Sequence, residues 1–210
     1  MKDLTGEFER LKKDQQAEAD KLSAQAGKSA VRALSPTTVA AAVSIVRRVS
    51  EDTGRGTLGE PAQDLKDVRS DTAFNAALMK DIRRANEEAR LFILGALELG
   101  YRSQVDGTPL NGARLTFTPD AGSRAAMAGY PILGETAAEH AAAIADALRR
   151  DVLRVVGMPI TGGADPAMIA ENLGLVAEQH ANRVESGVAE GYFAGVQAGV
   201  IDASKALVGQ

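Results

Sequence analysis

The chain contains no cysteine and no tryptophan, and only 4% of its 210 residues are aromatic. Without thiols there is no disulfide framework, no thiolate zinc or iron–sulfur site and no cysteine nucleophile. With so few rings, much of the 45% hydrophobic content is Ala and Val, and small side chains of this kind suit helices that approach one another closely. Histidine is almost as scarce. His140 and His180 are the only two, and neither sits in an HExxH arrangement, which leaves few routes to a zinc site. No run of 18 uncharged apolar residues occurs, so no membrane span is expected. Residues 1–20 mix both signs of charge without an apolar block, unlike a secretory signal or a transit peptide.

A net charge of −4 from 24 basic and 28 acidic residues excludes a general nucleic-acid coat. The charge is unevenly placed. Residues 1–105 carry 17 basic and 16 acidic groups, whereas 106–210 carry 7 and 12 and are rich in Ala and Gly. This composition break suggests a charged N-terminal helical region over 1–105, an irregular linker or hairpin arm over 106–134, and a helical part over 135–210.

Periodicity predicts an all-α chain of about six or seven helices. Leu4, Phe8, Leu11 and Leu22 share a face of a first amphipathic helix. Ser35-Pro36 supplies a cap and a first-turn proline for a second, with Val39, Val43 and Val46 on its apolar side and an end near Asp52-Thr53-Gly54. Ser70 or Asp71 opens a third, whose stripe is Phe74, Leu78, Ile82, Ala85, Ala89, Phe92, Ala96 and Leu99, and Gly100 is expected to stop it. Turn formers then punctuate the chain as far as Gly134, and the alternation of Leu115 and Phe117 with polar residues suggests a short hairpin. Thr136 and Glu139 form a capping box for a helix bearing Ala141, Ile144, Leu148, Val152 and Val155, with Gly157 and Pro159 as its stop. Asp165-Pro166 starts a short helix with Ile169 and Leu173 that Gly174 should end. A last helix spans about Val176 to Val208.

That last helix carries Gly187, Gly191, Gly195 and Gly199 at four-residue spacing. Each interior glycine costs about 1 kcal/mol of helix propensity relative to Ala, roughly 4 kcal/mol together, so a packing gain must offset them. A side-chain-free edge lets another backbone approach closely, either at a crossing inside the chain or at a contact with another subunit. The charged residues Glu185, Glu190 and Asp202 separate it from a membrane dimerisation motif.

Candidate chemistry is thin. Gly54-Arg55-Gly56-Thr57-Leu58-Gly59 has the letters of a dinucleotide fingerprint, but a helix precedes it and Pro61 follows, where the fingerprint needs a strand and then a helix. There is no nucleophile elbow and no pair of Glu-x-x-His steps for a di-iron centre. The arginine groups Arg47/Arg48, Arg83/Arg84 with Arg90, and Arg149/Arg150 with Arg154 are interleaved with acids, as on a solvated helix face laced with ion pairs, with incidental DNA contact as the alternative. Catalytic, cofactor-binding and metal residues are therefore expected to be none, and the chain is not expected to be an enzyme. A metal-dependent reaction at His180 and Glu185 is the weakest alternative.

The stretch from Pro131 to Leu173 resembles the core of the phage Mu gpF-like (MuF) minor head proteins, the head-morphogenesis family of tailed phages. Gly134, Thr136 and Glu139 fit that family's lead-in, Arg149 and Arg150 its amphipathic helix, and Gly162 and Gly163 its Gly-rich turn. Arg183-Val184-Glu185 stands where the family carries Arg-Thr-Glu, and His140 stands where an aromatic residue is common. The resemblance makes 135–210 a MuF-like core. It implies a low-copy virion protein located in the phage head and, during assembly, in the host cytoplasm. There it would associate with the portal or other capsid proteins in head morphogenesis, with roles in genome packaging or ejection. Because the chain stops at Gln210, the structural module alone is expected. The surfaces expected to dock are the glycine-striped last helix, with Gly187, Gly191, Gly195, Gly199, Arg183 and Glu185 as its interaction residues, and the charged N-terminal helix. A homo-oligomer is compatible with this reading, and a helical head-to-tail adaptor or scaffold is the alternative.

Overall fold

The computed structural model describes residues 4–54, 70–106, 109–110, 113–114, 126–162 and 166–208. The fold is all-α. Five long helices carry it: α1 (Leu4–Ala30), α2 (Pro36–Gly54), α3 (Thr72–Val105), α4 (Ala137–Gly162) and α5 (Pro166–Val208). Between α3 and α4, a two-residue antiparallel ladder pairs β1 (Pro109–Leu110) with β2 (Ala113–Arg114). Leu115 and Phe117 lie outside the described residues, as does the glycine-rich stretch from Arg55 to Gly59.

Packing divides the chain into two compact units, each assembled from separated segments. One comprises Lys28–Glu87 and Ala143–Asn182. Its core joins Ala42, Ile45 and Val46 of α2 with Phe74, Leu78 and Ile82 of α3, Leu148, Val152 and Val156 of α4, and Ile169, Leu173 and Val176 of α5. These follow the three-to-four-residue spacing expected of helix faces that meet in a shared core.

The ends of α1 and α2 in this unit are fixed by an acid and a base one turn apart on α3. Asp81, 2% exposed, accepts hydrogen bonds through Oδ2 from the Ser35 amide and the Thr38 hydroxyl, both at 2.7 Å. Ser35 Oγ in turn caps α2 by accepting from the Thr38 amide at 3.3 Å. Arg84 donates to the carbonyls of Arg32 and Ala33, just past α1, at 3.1 and 2.9 Å. An anion thus meets a helix N-terminus and a cation a helix C-terminus, the favourable sense for each dipole.

Asp71 caps α3, accepting from the Phe74 amide at 2.9 Å while its other oxygen lies 2.5 Å from Arg48. The Phe74 amide first, and the Arg48 guanidinium with it, hold the Asp71 carboxyl below the usual carboxylate range. Since the folded-state pKa is depressed, the ionised group stabilises the fold above the unfolded value of about 3.9, and that stabilisation is lost as pH falls through the folded value. Asp71→Ala is expected to cost about 1 kcal/mol at pH 7. In urea denaturation, the gap to wild type should narrow as the pH drops below about 4; a gap that stays constant would contradict this account of the cap.

The second unit comprises Met1–Gly27, Glu88–Ala142 and Arg183–Gln210. Ahead of α4, Ile132 and Glu135 exchange backbone hydrogen bonds at 2.7 and 3.1 Å. The two residues between them, Leu133 and Gly134, both have positive φ, 52° and 94°, as a two-residue turn of the I′ type requires. Thr136 and Glu139 then form the expected capping box: the Thr136 amide donates to Glu139 Oε2 at 2.8 Å and the Glu139 amide to Thr136 Oγ1 at 3.3 Å. The Thr136 amide first, and with it the Thr136 hydroxyl, which donates to the same Oε2 at 2.8 Å, hold the exposed Glu139 carboxyl below its ordinary pKa.

Several expected helix stops and faces are corrected. Helix α3 continues through Gly100 to Val105, α4 through Gly157 and Pro159 to Gly162, and α5 runs through Gly174 as one 43-residue helix. A breaker adds a fixed local cost, and buried side chains beside it, Val156 in α4 and Leu173 and Val176 in α5, outweigh that cost. In α1, Leu11 is 46% exposed, the side chains of Leu4 and Phe8 lie outside the described ones, and among those described the buried positions are Ala19, Ser23, Ala26, Gly27 and Ala30. In α3 the buried stripe passes through Ile93 and Leu97, leaving Phe92 half-buried and Leu99 exposed. Val156 takes the buried place expected for Val155 in α4.

Candidate functional site

The glycine edge of α5 is the feature most demanding of explanation. Gly187, Gly191, Gly195 and Gly199 are all buried. A methyl group on Gly191 would stand 3.0 Å from the Ile93 carbonyl oxygen, and one on Gly199 would stand 2.6 Å from the Tyr101 oxygen. On Gly195 it would run into the Leu97 carbonyl, 2.8 Å from its carbon and 2.9 Å from the Tyr101 nitrogen. The contacts advance along both helices together, so α3 and α5 run parallel here. Gly100 reciprocates: a methyl there would meet the Tyr192 carbonyl and lie 3.0 Å from the Val196 nitrogen. Of the two readings that the spacing allowed, the crossing lies inside the chain. Helix α3 fills the bare edge, and Gly191, Gly195 and Gly199 present no open groove to a second protein.

Aromatic side chains flank the crossing. Tyr101 donates its hydroxyl proton to Asp202 at 3.2 Å, and burial, then the Asp202 charge, raise its pKa. Burial likewise raises that of Tyr192, whose ring meets Phe193 edge to face with centroids 5.6 Å apart.

Arg183 is half-buried. Glu185 lies over Gly27 of α1, where a methyl would come within 2.6–2.7 Å of its Cδ and Cγ, so α1 also approaches α5 through a glycine. Nothing in the periodicity of α1 singled out Gly27, because one isolated glycine forms no pattern.

His140 stands between two carboxylates, with Nε2 3.2 Å from Glu190 and Nδ1 3.6 Å from Glu135. The acids flank opposite edges of the ring, so they do not converge on one ion. His180 is buried, 1% exposed, and Glu178 is exposed. Among the described residues, no group of three or more His, Cys, Asp or Glu side chains could hold a metal ion. No helix among them is long and apolar enough to cross a membrane.

The arginine groups behave in part as interleaved charges should: Arg48 pairs with Asp71, Arg84 with Asp81, and Arg154 with Asp151. Arg47, Arg83, Arg149 and Arg150 are exposed.

Comparison with known proteins returns no matching family model, no matching curated relative and no matching solved structure.

Proposed function

We propose that this chain is a structural minor head protein of a tailed phage, a helical module that fits against the portal or a neighbouring capsid protein and catalyses no reaction. The observation that carries the reading is the resemblance of Pro131 to Leu173 to the MuF-like core, continued at Arg183-Val184-Glu185. The lead-in of that stretch is a tight turn at Leu133-Gly134 delivering the chain into the Thr136–Glu139 capping box, which gives the resembling residues a definite structural role. Since the glycine edge of α5 is occupied by α3, docking falls to exposed helix faces such as that of α5 with Phe193, Val200 and Ile201.

The test is binding of the purified chain to a tailed-phage portal protein, followed by co-sedimentation with assembled heads. The expected result is a stable complex and retention at low copy number. A chain that binds neither portal nor heads would overturn the proposal. Assembly into a ring in solution would favour the head-to-tail adaptor instead.

A further inference from the structure

Among the described residues, two glycines inside helices have no close neighbour: a methyl on Gly95 or on Gly174 would meet nothing within 4 Å, although glycine weakens a helix relative to alanine. Their surroundings differ. Four residues on either side of Gly174 stand Ala170 and Glu178, whereas four on either side of Gly95 stand Leu91 and Leu99, 56% and 40% exposed. At about 100° per residue, Leu91 and Leu99 lie about 40° to either side of Gly95, and Glu88 and Arg102 about 20°. One face of α3 therefore reads Glu88, Leu91, Gly95, Leu99, Arg102. Leu91 and Gly95 also line a pocket of about 250 Å³ with Leu94, Glu98 and Met127.

This face is complementary to itself. Reversing α3 about Gly95 lays Leu91 on Leu99 and Glu88 on Arg102, so apolar meets apolar and acid meets base. We propose that a second copy of this chain docks here, α3 crossing α3 in antiparallel sense about a two-fold axis at Gly95. Each contact then occurs twice, as in any isologous interface. The glycine sits where the two backbones are nearest, the same device that brings α3 and α5 together at Gly195. Arg102, whose Nε lies 3.6 Å from Asp106, has further guanidinium donors with which to meet Glu88 of the second copy. One helix face per copy makes an interface below the standard size, hence a dimer with a dissociation constant on the order of micromolar.

Sedimentation equilibrium of the full chain, from dilute solution to the highest attainable concentration, should show the mass doubling. Glu88→Arg and Arg102→Glu should each weaken the dimer about tenfold, because each reversal turns two attractions into two repulsions. The double variant should recover most of the loss. An independent arm uses the absence of cysteine. Gly95→Cys places the sole thiol of each copy at the axis, within the roughly 4.4–6.8 Å Cα separation that a disulfide needs, and mild oxidation should yield a covalent dimer. Gly174→Cys is the control and should not. Open space around Gly95 lets that variant fold, which circular dichroism checks. A chain that stays monomeric throughout, or Gly95→Cys that crosslinks no faster than Gly174→Cys, overturns the proposal. So does capture of a different protein by this face without self-association.

Discussion

Gly195→Ala is expected to lower stability by about 3 kcal/mol, at the upper end for overpacking in a tightly packed interior, even though alanine is the better helix former by about 1 kcal/mol. The clash is with backbone. The added methyl would occupy the place of the Leu97 carbonyl and crowd the Tyr101 nitrogen at 2.9 Å, and neither can rotate away as a side-chain tip could. The two helices must part, and separation at Gly195 also loosens the contacts at Gly191, Gly199 and Gly100. For a chain of this size, such a loss corresponds to a fall of about 6–12 °C in Tm. Gly174→Ala supplies the contrast, since it faces open space in mid-helix and should gain about 1 kcal/mol from propensity alone. Denaturant titrations of both variants decide the matter: equal shifts of the same sign would show that the crossing is not where the glycines are needed.

Asp81→Ala should be comparably damaging, at about 3 kcal/mol, within the range for removing one partner of a buried charged network. Most of that loss comes from hydrogen bonds. The Thr38 hydroxyl is fully buried, and with Asp81 gone, it and the Ser35 amide lose a charged acceptor, each orphaned donor costing about 1–3 kcal/mol. The pairing with Arg84 adds little, because Arg84 is 45% exposed at 3.3 Å and water screens such a pair. A double-mutant cycle between Asp81→Ala and Thr38→Val should return a coupling of about 1–2 kcal/mol. Coupling near zero would mean that the 2.7 Å hydrogen bond contributes nothing to holding α2 against α3.

The same residues show how far a linear reading reaches. Ser35-Pro36, Asp71 and the Thr136–Glu139 pair were legible as helix starts because a cap is a contact between residues three apart, and its chemistry is written in adjacent letters. Asp81 was legible only as an acid among arginines; its role depends on Ser35 and Thr38, more than forty residues away. Gly100, Gly157, Pro159 and Gly174 read as stops but are not, because a local penalty can be outweighed by burial that appears only once the neighbours are in place. Leu99 fitted the apolar stripe of α3, yet past Glu88 the buried positions follow the backbone of α5, and the face they select turns away from Leu99.

By itself, the sequence determined that the chain is helical and where three of its helices begin, since period and capping act over one or two turns. It also determined that four glycines on one edge must admit another backbone. Only the tertiary structure decided that the backbone is α3 of the same chain, running parallel, and that the two packed units draw on segments distant in sequence. It alone exposed Gly95, between two leucines, as a helical glycine with no neighbour within 4 Å. The physical reason is that a helix face carries its apolar positions in its own letters, while the neighbour it meets is chosen by the packing of the whole chain.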